Sequence, residues 1–460
     1  MDRISGLPDD VILIILRFLP SNDAARVLLL ARRFKKLYTI IPNLEFDDKV
    51  NIFQGTFSDF VTKSLPPLGN TSLIRRFSLK SQMGLESDRV NQWLRNVLKR
   101  SVMDLELDIY GGNNRSKLPL DGYELPLEIF TSNTVTKMKL GKEFVIRALP
   151  KDALLPSLES LILKRVRFYA RDDGDCAFHA FLLACPVLKE LNIDGMYWET
   201  WNWSRIVSSP SLQRLTISRN FSDGFEDPKH QSLSFHTPNL AYFECCDFVP
   251  DEYPFVKFDS LVEAKLDLCV MVDRKWHGDF ADDDEILSSN PRNLIKGLRN
   301  VKILDLTSPM MLETLYFFHN AIPVFNNLHR LSFFTNDDYM QVCWRFLPLL
   351  LDKTPNLKTL VIKGELHYVE GPPYVCDCLL GYSFLLSCRV EVMEISLGDH
   401  RIIQELEQVK HFLGKLPCLE LLRVNTPQWT SDNEKFRIIK DLRRFHRASP
   451  KCRVEFRWIV

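Results

Sequence analysis

The sequence has no excess of charge of either sign, no long apolar run and no cysteine framework. Its 59 Lys and Arg residues balance 59 Asp and Glu residues, whereas a chain that binds nucleic acid usually carries a basic surplus. No stretch approaches the roughly 18 apolar residues of a membrane helix, and the N-terminus does not resemble a signal peptide. These absences argue against nucleic acid and membrane as partners. They predict an intracellular protein, cytoplasmic, nuclear or both.

Catalytic and cofactor-binding motifs are also missing. The chain contains no G-x-S-x-G, H-E-x-x-H, Walker loop or G-x-G-x-x-G, and no nucleophile, base and orienting acid can be assembled from its residues. Its 11 cysteines are scattered, which is typical of small buried residues in a reducing compartment. Cys376, Cys378, Cys388 and His367 lack a second close pair at zinc-finger spacing, so we expect no metal. The sequence predicts a non-catalytic protein without a cofactor.

Three further clusters of unusual residues are interpreted as structural. The acidic run 282–285 lacks the ligand spacing of a calcium loop, which favours a surface loop. Trp198, Trp201 and Trp203 favour core or rim packing over a platform for a sugar or peptide. The basic residues between positions 435 and 447 form either a solvated helix face or a contact with a partner.

Three short helices are predicted within residues 1–46. Pro8 begins the first helix, because its missing N–H would be unpaired there in any case. Pro20 ends that helix, and Ser21 caps the second. Residues 11–16 are all apolar and cover every face of the first helix, which must therefore be buried on several sides. Either the rest of the chain or a partner supplies that cover, and the pattern leaves both possibilities open.

A recurring phrase occupies the middle of the chain. The frame L-x-x-L-x-L follows a Pro-x step in its clearest copies, which begin at Pro156, Pro186, Pro210, Pro238, Pro355 and Pro417. With weaker copies between them, the repeats recur at roughly 29 residues, near the leucine-rich-repeat range. The last two apolar positions of the frame alternate and point to one face of a short strand. Stacked repeats would bury that face in a curved solenoid with a parallel sheet.

The pattern changes after Pro372-Pro373. Strands are predicted at 390–397, 419–424 and 454–458, with two amphipathic helices between them. The first helix has an apolar face and, opposite it, a polar face with Glu405, Glu407 and Lys410. The apolar face consists of Ile402, Ile403, Leu406, Val409, Phe412 and Leu413. The second helix is placed by Phe436, Ile439, Leu442, Arg443 and Phe445. This segment is expected to cap the open apolar end of the solenoid.

The N-terminal segment resembles an F-box of the large plant family of F-box/leucine-rich-repeat proteins. The resemblance rests on Leu7-Pro8-Asp9-Asp10-Val11, Ile15-Leu16, Leu19-Pro20 and the stretch from Leu30 to Asp47. It implies that these helices bind a Skp-type adaptor, which holds them to a cullin ubiquitin ligase. Family members usually carry tryptophan where this chain has Phe34 and Tyr38. The implied adaptor-binding residues are Leu7, Pro8, Val11, Ile15, Leu16, Leu19, Pro20, Leu28, Phe34 and Tyr38.

The resemblance to this family extends over most of the chain. Residues 90–94, 105–108, 125–130 and 155–158 are similar to recurrent phrases of its repeats, and residues 449–456 resemble the end of its FBD module. The expected fold is therefore α/β: a short three-helix F-box, a leucine-rich-repeat solenoid and a C-terminal α/β cap. The expected domain boundaries are 1–46, 70–375 and 376–460.

The family resemblance implies a substrate-recruiting subunit of an SCF-type (Skp-cullin-F-box) ubiquitin ligase, with an unknown protein substrate held by the repeats. The alternative is a non-catalytic repeat scaffold or small-ligand receptor that does not engage a cullin. Substrate contacts are expected at the variable positions of the frame, which differ in charge and size from copy to copy. Examples are Glu159, Lys189, Glu190, Gln213, Arg214, Lys358 and Thr359.

Overall fold

A computed structural model of the chain contains two compact units, Met1–Lys229 and His230–Val460. The residues that the structure describes are 7–8, 11–12, 43–49, 56–65, 74–110, 122–141, 143–169, 177–194, 206–218, 232–270, 289–335, 344–364, 366, 385, 388–397, 402–427 and 432–459.

The elements follow one another in a mixed α/β order. The strands are β1 (Asn43–Asp47), β2 (Arg76–Ser81), β3 (Asp104–Ile109), β4 (Tyr123–Glu124), β5 (Lys137–Leu140), β6 (Phe144–Ile146), β7 (Ser160–Lys164), β8 (Arg167–Phe168), β9 (Glu190–Asp194), β10 (Ile206–Ser208), β11 (Arg214–Ser218), β12 (Ser234–His236), β13 (Tyr242–Phe248), β14 (Val256–Lys257), β15 (Glu263–Cys269), β16 (Ile303–Leu306), β17 (Arg330–Thr335), β18 (Thr359–Gly364), β19 (Val392–Ser396), β20 (Leu421–Pro427) and β21 (Arg453–Ile459). The helices are α1 (Phe57–Ser64), α2 (Ser87–Leu98), α3 (Ala177–Leu183), α4 (Arg292–Gly297), α5 (Pro309–Phe317), α6 (Phe346–Asp352), α7 (Ile402–Lys415) and α8 (Asp432–Arg444), with short 3-10 turns at Leu127–Thr131, Leu298–Asn300 and His319–Ala321.

A parallel sheet runs through the first unit in the order β1-β2-β3-β5-β7-β9-β11. Its register places apolar residues of successive repeats side by side, because each repeat supplies the same position of the frame. One buried row consists of Phe77, Leu105, Met138, Leu161, Leu191 and Leu215. The repeating apolar frame therefore predicted the sheet of this unit correctly. β4, β6 and β8 form a smaller parallel sheet beside it.

The second unit contains a parallel sheet in the order β13-β15-β16-β17-β18-β19-β20-β21. The C-terminal segment belongs to this sheet, since β19 pairs in parallel with β18. One row of side chains on the core side is Phe243, Ala264, Leu304, Leu331, Leu360, Met393, Leu422 and Val454. All of these are buried except the last, Val454, which is half-buried.

The first leucine of the frame closes a tight turn before each strand. The N–H of Leu158 donates to the carbonyl of Leu155 at 3.2 Å, and the N–H of Leu357 donates to that of Thr354 at 3.2 Å. Proline lies between each pair, at the turn position that its fixed φ suits. Both leucines are at most 1% exposed. The Pro-x-Leu step therefore sets where each strand begins.

Two details of the C-terminal helices were predicted wrongly. Glu405, expected on the polar face of α7, is 1% exposed, and its Oε1 accepts a hydrogen bond from the Leu366 N–H at 3.1 Å. Phe436, expected to help place α8 by packing, is 70% exposed. Helix α8 instead buries Ile438 and Leu442, which lie four residues apart and therefore share one helical face.

Within the described part of the chain, no helix is both long enough and apolar enough to cross a bilayer.

Candidate partner-binding surfaces

The structure describes the start of the F-box-like segment only in part. The carbonyl of Pro8 accepts hydrogen bonds from the N–H groups of Val11 and Ile12, both at 3.1 Å. This is the first turn of the predicted helix. Ile12 is 1% exposed, whereas Val11 is 40% exposed. Val11 therefore leaves apolar surface exposed on this turn, whereas the buried Ile12 shows that the turn also packs against the chain itself. The other predicted adaptor-binding residues lie outside the described residues, namely Ile15, Leu16, Leu19, Pro20, Leu28, Phe34 and Tyr38.

Each parallel sheet has a second side, opposite its buried apolar rows, which we call the open face. In the first unit, the open face of β2, β3 and β5 centres on Glu106, whose side chain is 6% exposed. Its Oε1 receives Lys139 Nζ at 2.6 Å and Lys80 Nζ at 3.1 Å. Its Oε2 receives Arg76 Nη2 at 2.8 Å. Arg76 also pairs with Asp104 at 2.9 Å and with Glu45 at 3.1 Å.

This cluster fixes the ionisation state of Glu106. Burial alone would raise the pKa of its carboxyl, but the hydrogen bonds and positive charges of Lys139 and Lys80 outweigh burial and lower the pKa to about 2. The carboxylate is therefore charged at neutral pH. Arg76 and Lys80 on β2 and Lys139 on β5 balance this negative charge. The cluster therefore stabilises the association of β2, β3 and β5.

The variable positions of the frame lie at the surface, as the sequence predicted. Glu159, Lys189, Glu190, Gln213, Arg214 and Lys358 are exposed, and Thr359 is half-buried. Some of them pair with each other, since Lys189 Nζ lies 3.0 Å from Glu159 Oε1. Exposed ion pairs of this kind contribute about 0–1 kcal/mol to stability. These positions are therefore free to vary and to contact a partner.

The open face of the second unit combines ion pairs with apolar side chains. Lys363 Nζ lies 3.0 Å from Asp305 Oδ2, and Lys265 Nζ lies 2.7 Å from Glu244 Oε1. Phe334 on β17 is 38% exposed and stands beside Lys363 in the strand register. An exposed aromatic ring flanked by charged groups is typical of a protein-binding surface.

The sequence did not single out Glu106 or Phe334. Glu106 lies between two core leucines in Leu105-Glu106-Leu107, where the frame predicts an ordinary surface residue. The sequence did contain a clue to the Glu106 pair: Lys139 occupies the same frame position one repeat later, in Met138-Lys139-Leu140. The register places Glu106 and Lys139 side by side. Opposite charges at matching positions of adjacent parallel strands indicate such a pair.

The described residues show no arrangement of chemical groups that suggests a bound metal. No three His, Cys, Asp or Glu side chains among them lie close enough together to hold an ion. Cys388 is described, whereas Cys376, Cys378, His367, the acidic run 282–285 and the three clustered tryptophans lie outside the described residues.

Comparison with known proteins adds to this geometry. A family model described as the LRR repeats of the FBD-associated F-box protein At5g56370 matches residues 90–333. The F-box/LRR-repeat protein At3g58980 of Arabidopsis thaliana is 46% identical over 99% of this chain and 74% of its own length. The putative F-box/LRR-repeat protein At3g58920 of the same organism is 43% identical over 99% of each chain. F-box/LRR-repeat protein At3g62440, also from Arabidopsis thaliana, is 42% identical over 99% of each chain.

Proposed function

The chain belongs to the F-box/LRR-repeat proteins of plants, and we propose that it is the non-catalytic, substrate-recruiting subunit of a Skp-cullin-F-box ubiquitin ligase. The observation that carries this proposal is the 46% identity to an F-box/LRR-repeat protein over 99% of the chain. The parallel sheets of both units support the proposal, because stacked leucine-rich repeats would form such sheets. Such an adaptor acts in the cytoplasm or the nucleus, as the sequence predicts.

In this proposal, residues 1–46 bind a Skp-type adaptor, residues 70–375 hold the target and residues 376–460 form an FBD-like segment. The adaptor-binding side chains are those predicted from the sequence, led by Leu7, Pro8 and Val11. The exposure of Val11 supports this assignment, because a branched apolar side chain at the surface of a first helical turn gains free energy when a partner covers it.

The subunit performs no chemistry of its own. It raises the rate of ubiquitin transfer by proximity, because a substrate lysine tethered near the charged ubiquitin carrier experiences a high effective concentration of it. This function needs two binding surfaces that are occupied at the same time. The F-box-like segment and the open faces of the repeats are the two surfaces that we assign to it.

We assign the substrate to the open face of the second unit in preference to that of the first. In the first unit, Glu106 and its three cationic partners satisfy one another. A partner would have to break those pairs before it gained contacts. In the second unit, Phe334 offers an apolar anchor without that cost.

Adaptor binding is tested with the double variant Leu7→Ala with Pro8→Ala in the full chain, by calorimetric titration with a purified Skp-type adaptor. Truncation of a central anchor costs about 2–4 kcal/mol of binding, so the affinity should fall more than about tenfold. The matched control is Glu159→Ala with Lys189→Ala, which removes an exposed ion pair of the repeats. An adaptor that binds neither the native chain nor the control would favour the alternative, a repeat scaffold or small-ligand receptor outside the ligase.

Substrate capture is tested separately, by affinity purification while degradation is blocked. Phe334→Ala should reduce the recovery of ubiquitinated targets and leave adaptor binding unchanged. Lys137→Ala, on the open face of the first unit, is the control and should recover targets like the native chain. Equal recovery with Phe334→Ala and the native chain would move the substrate surface elsewhere.

A further inference from the structure

The last strand of the second unit, β21, has a free edge. It pairs in parallel with β20, and no strand in the described ranges pairs with its other side. The N–H of Arg453 donates to the carbonyl of Glu420 at 2.9 Å, so the backbone of Arg453 faces β20. Because successive strand residues turn their backbone groups to opposite sides, the N–H and C=O of Val454, Phe456 and Trp458 point to the free edge. These groups are available to pair with another strand.

The side chains of β21 also lack the cover that the inner strands have. Leu422 and Val424 on β20 are fully buried. Their register neighbours Val454 and Phe456 are only half-buried, and Trp458 is 41% exposed. The apolar side of this strand is therefore open to a further layer of side chains, as it would be if one more repeat were missing from the stack.

The surroundings of this edge are basic. Residues 432–459 contain nine Lys and Arg residues but four Asp and Glu residues, while the whole chain carries 59 of each class. Arg453 and Arg457 are exposed on β21 itself. Lys435 of α8 places its Nζ 5.0 Å from the centre of the Trp458 ring. The only acid on β21 is Glu455, whose Oε2 lies 3.3 Å from Arg423 and 3.9 Å from Arg457.

We propose that the free edge of β21 binds an acidic polypeptide segment in extended conformation, which adds to the sheet as a further strand. The outward N–H and C=O groups supply the main-chain hydrogen bonds of strand addition, and the half-buried row supplies contacts for alternate apolar side chains. The excess of Arg and Lys selects a partner of negative charge. It also keeps the β21 edges of two copies apart, since like-charged edges repel. This site is separate from the open faces and does not depend on a ligase role.

The probe for this proposal is a short fluorescent peptide of alternating glutamate and valine, titrated with the full chain and followed by anisotropy. Two matched peptides serve as controls: one with lysine in place of glutamate, and one whose backbone amides are all N-methylated. We expect binding of the acidic peptide alone. The N-methylated peptide keeps the charge but cannot donate the strand hydrogen bonds, so equal binding of both acidic peptides would overturn the proposal.

Variants of Trp458 locate the interaction on the edge. Trp458→Ala and Trp458→Pro both remove the ring, but only the proline variant also removes the outward N–H. Proline is tolerated on an edge strand where its N–H would face solvent, so both variants should melt alike. The proline variant should bind the acidic peptide about fivefold more weakly than the alanine variant, the effect of one hydrogen bond. Equal affinities would overturn the assignment to this edge.

Charge reversal tests the selectivity of the edge. Arg453→Glu with Arg457→Glu should weaken binding of the acidic peptide by more than about tenfold and allow the lysine peptide to bind. Light scattering decides between a peptide and a second copy of this chain. A concentration-dependent dimer that loses its stability in Trp458→Pro would show that another copy occupies the edge, and the proposed occupant would be wrong.

Discussion

The open faces of the two units are built from the same repeat but differ in their side chains. Those of the first unit are paired by charge, whereas the second unit also exposes an aromatic ring. Around β3 in the first unit, a buried carboxylate is surrounded by Arg76, Lys80 and Lys139. Around β17 in the second unit, one ion pair, Lys363 with Asp305, accompanies the exposed ring of Phe334. The core sides of both sheets, by contrast, are rows of buried apolar residues with the same spacing.

This difference separates two uses of the variable positions of a repeat. Where charges on neighbouring strands satisfy each other, the open face adds to the cohesion of the stack. Where an apolar group stays exposed beside a charged pair, a partner that covers the group gains free energy of binding. The repeat frame fixes the core side, and the variable residues decide which of the two uses applies.

The largest expected effect tests whether the two core sides are equivalent. Phe77 and Phe333 are both fully buried. The ring centres of Phe77 and Phe46 lie 6.0 Å apart, and those of Phe333 and Trp344 lie 5.7 Å apart. Phe77→Ala and Phe333→Ala should each lower the free energy of unfolding by about 3–5 kcal/mol. Chemical denaturation measures both. A loss confined to one variant would show that the cores differ as much as the open faces do.

An intermediate effect is expected at Glu106, where the open faces differ most. Because folding lowers its pKa from 4.5 to about 2, the ionised carboxylate stabilises the fold above pH 4.5, and this contribution is lost as the pH falls from 4.5 through 2. Glu106→Gln should cost about 1–3 kcal/mol at neutral pH. The difference between variant and native chain should shrink over the same acid range.

The control for Glu106 is Asp305→Asn in the second unit. Asp305 is 24% exposed and its partner Lys363 is 43% exposed, so solvent screens the pair and its loss should cost about 0–1 kcal/mol. Denaturation curves measured from neutral to acid pH give both values. If Asp305→Asn cost as much as Glu106→Gln, the contrast between the two open faces would not be electrostatic.

The smallest effect on stability is expected at one frame position shared by the two units. Lys189 lies 3.0 Å from Glu159 in the first unit, and Lys358 lies 3.4 Å from Glu391 in the second. Both pairs are largely exposed, so Lys189→Glu and Lys358→Glu should each change stability by less than about 1 kcal/mol. Capture of substrate should fall with Lys358→Glu only. A fall with Lys189→Glu alone would transfer the binding surface to the first unit.

The parallel sheets were predictable from the sequence because every copy of the frame has the same internal L-x-x-L-x-L spacing. Leu161, Leu191 and Leu215 recur behind the same Pro-x-Leu turn, and the structure aligns them in one row. The environment of polar residues was less predictable. Glu405 looks solvent-facing by helical periodicity, but the backbone N–H of Leu366, distant in sequence, gives it a buried partner. The adaptor-binding set stays a prediction.

The strand register has a consequence for how the chain folds. In the described sheets, register partners on neighbouring strands lie 21 to 40 positions apart, as in Glu244 with Lys265 and Glu263 with Ile303. Over that range the entropic cost of loop closure changes by only about 0.6 kcal/mol. Adding one repeat therefore costs nearly the same at each step, and a nucleus formed in any repeat can propagate to its neighbours. During synthesis, β2 can pair with β3 as soon as roughly 30 further residues have emerged, long before the ribosome reaches β21.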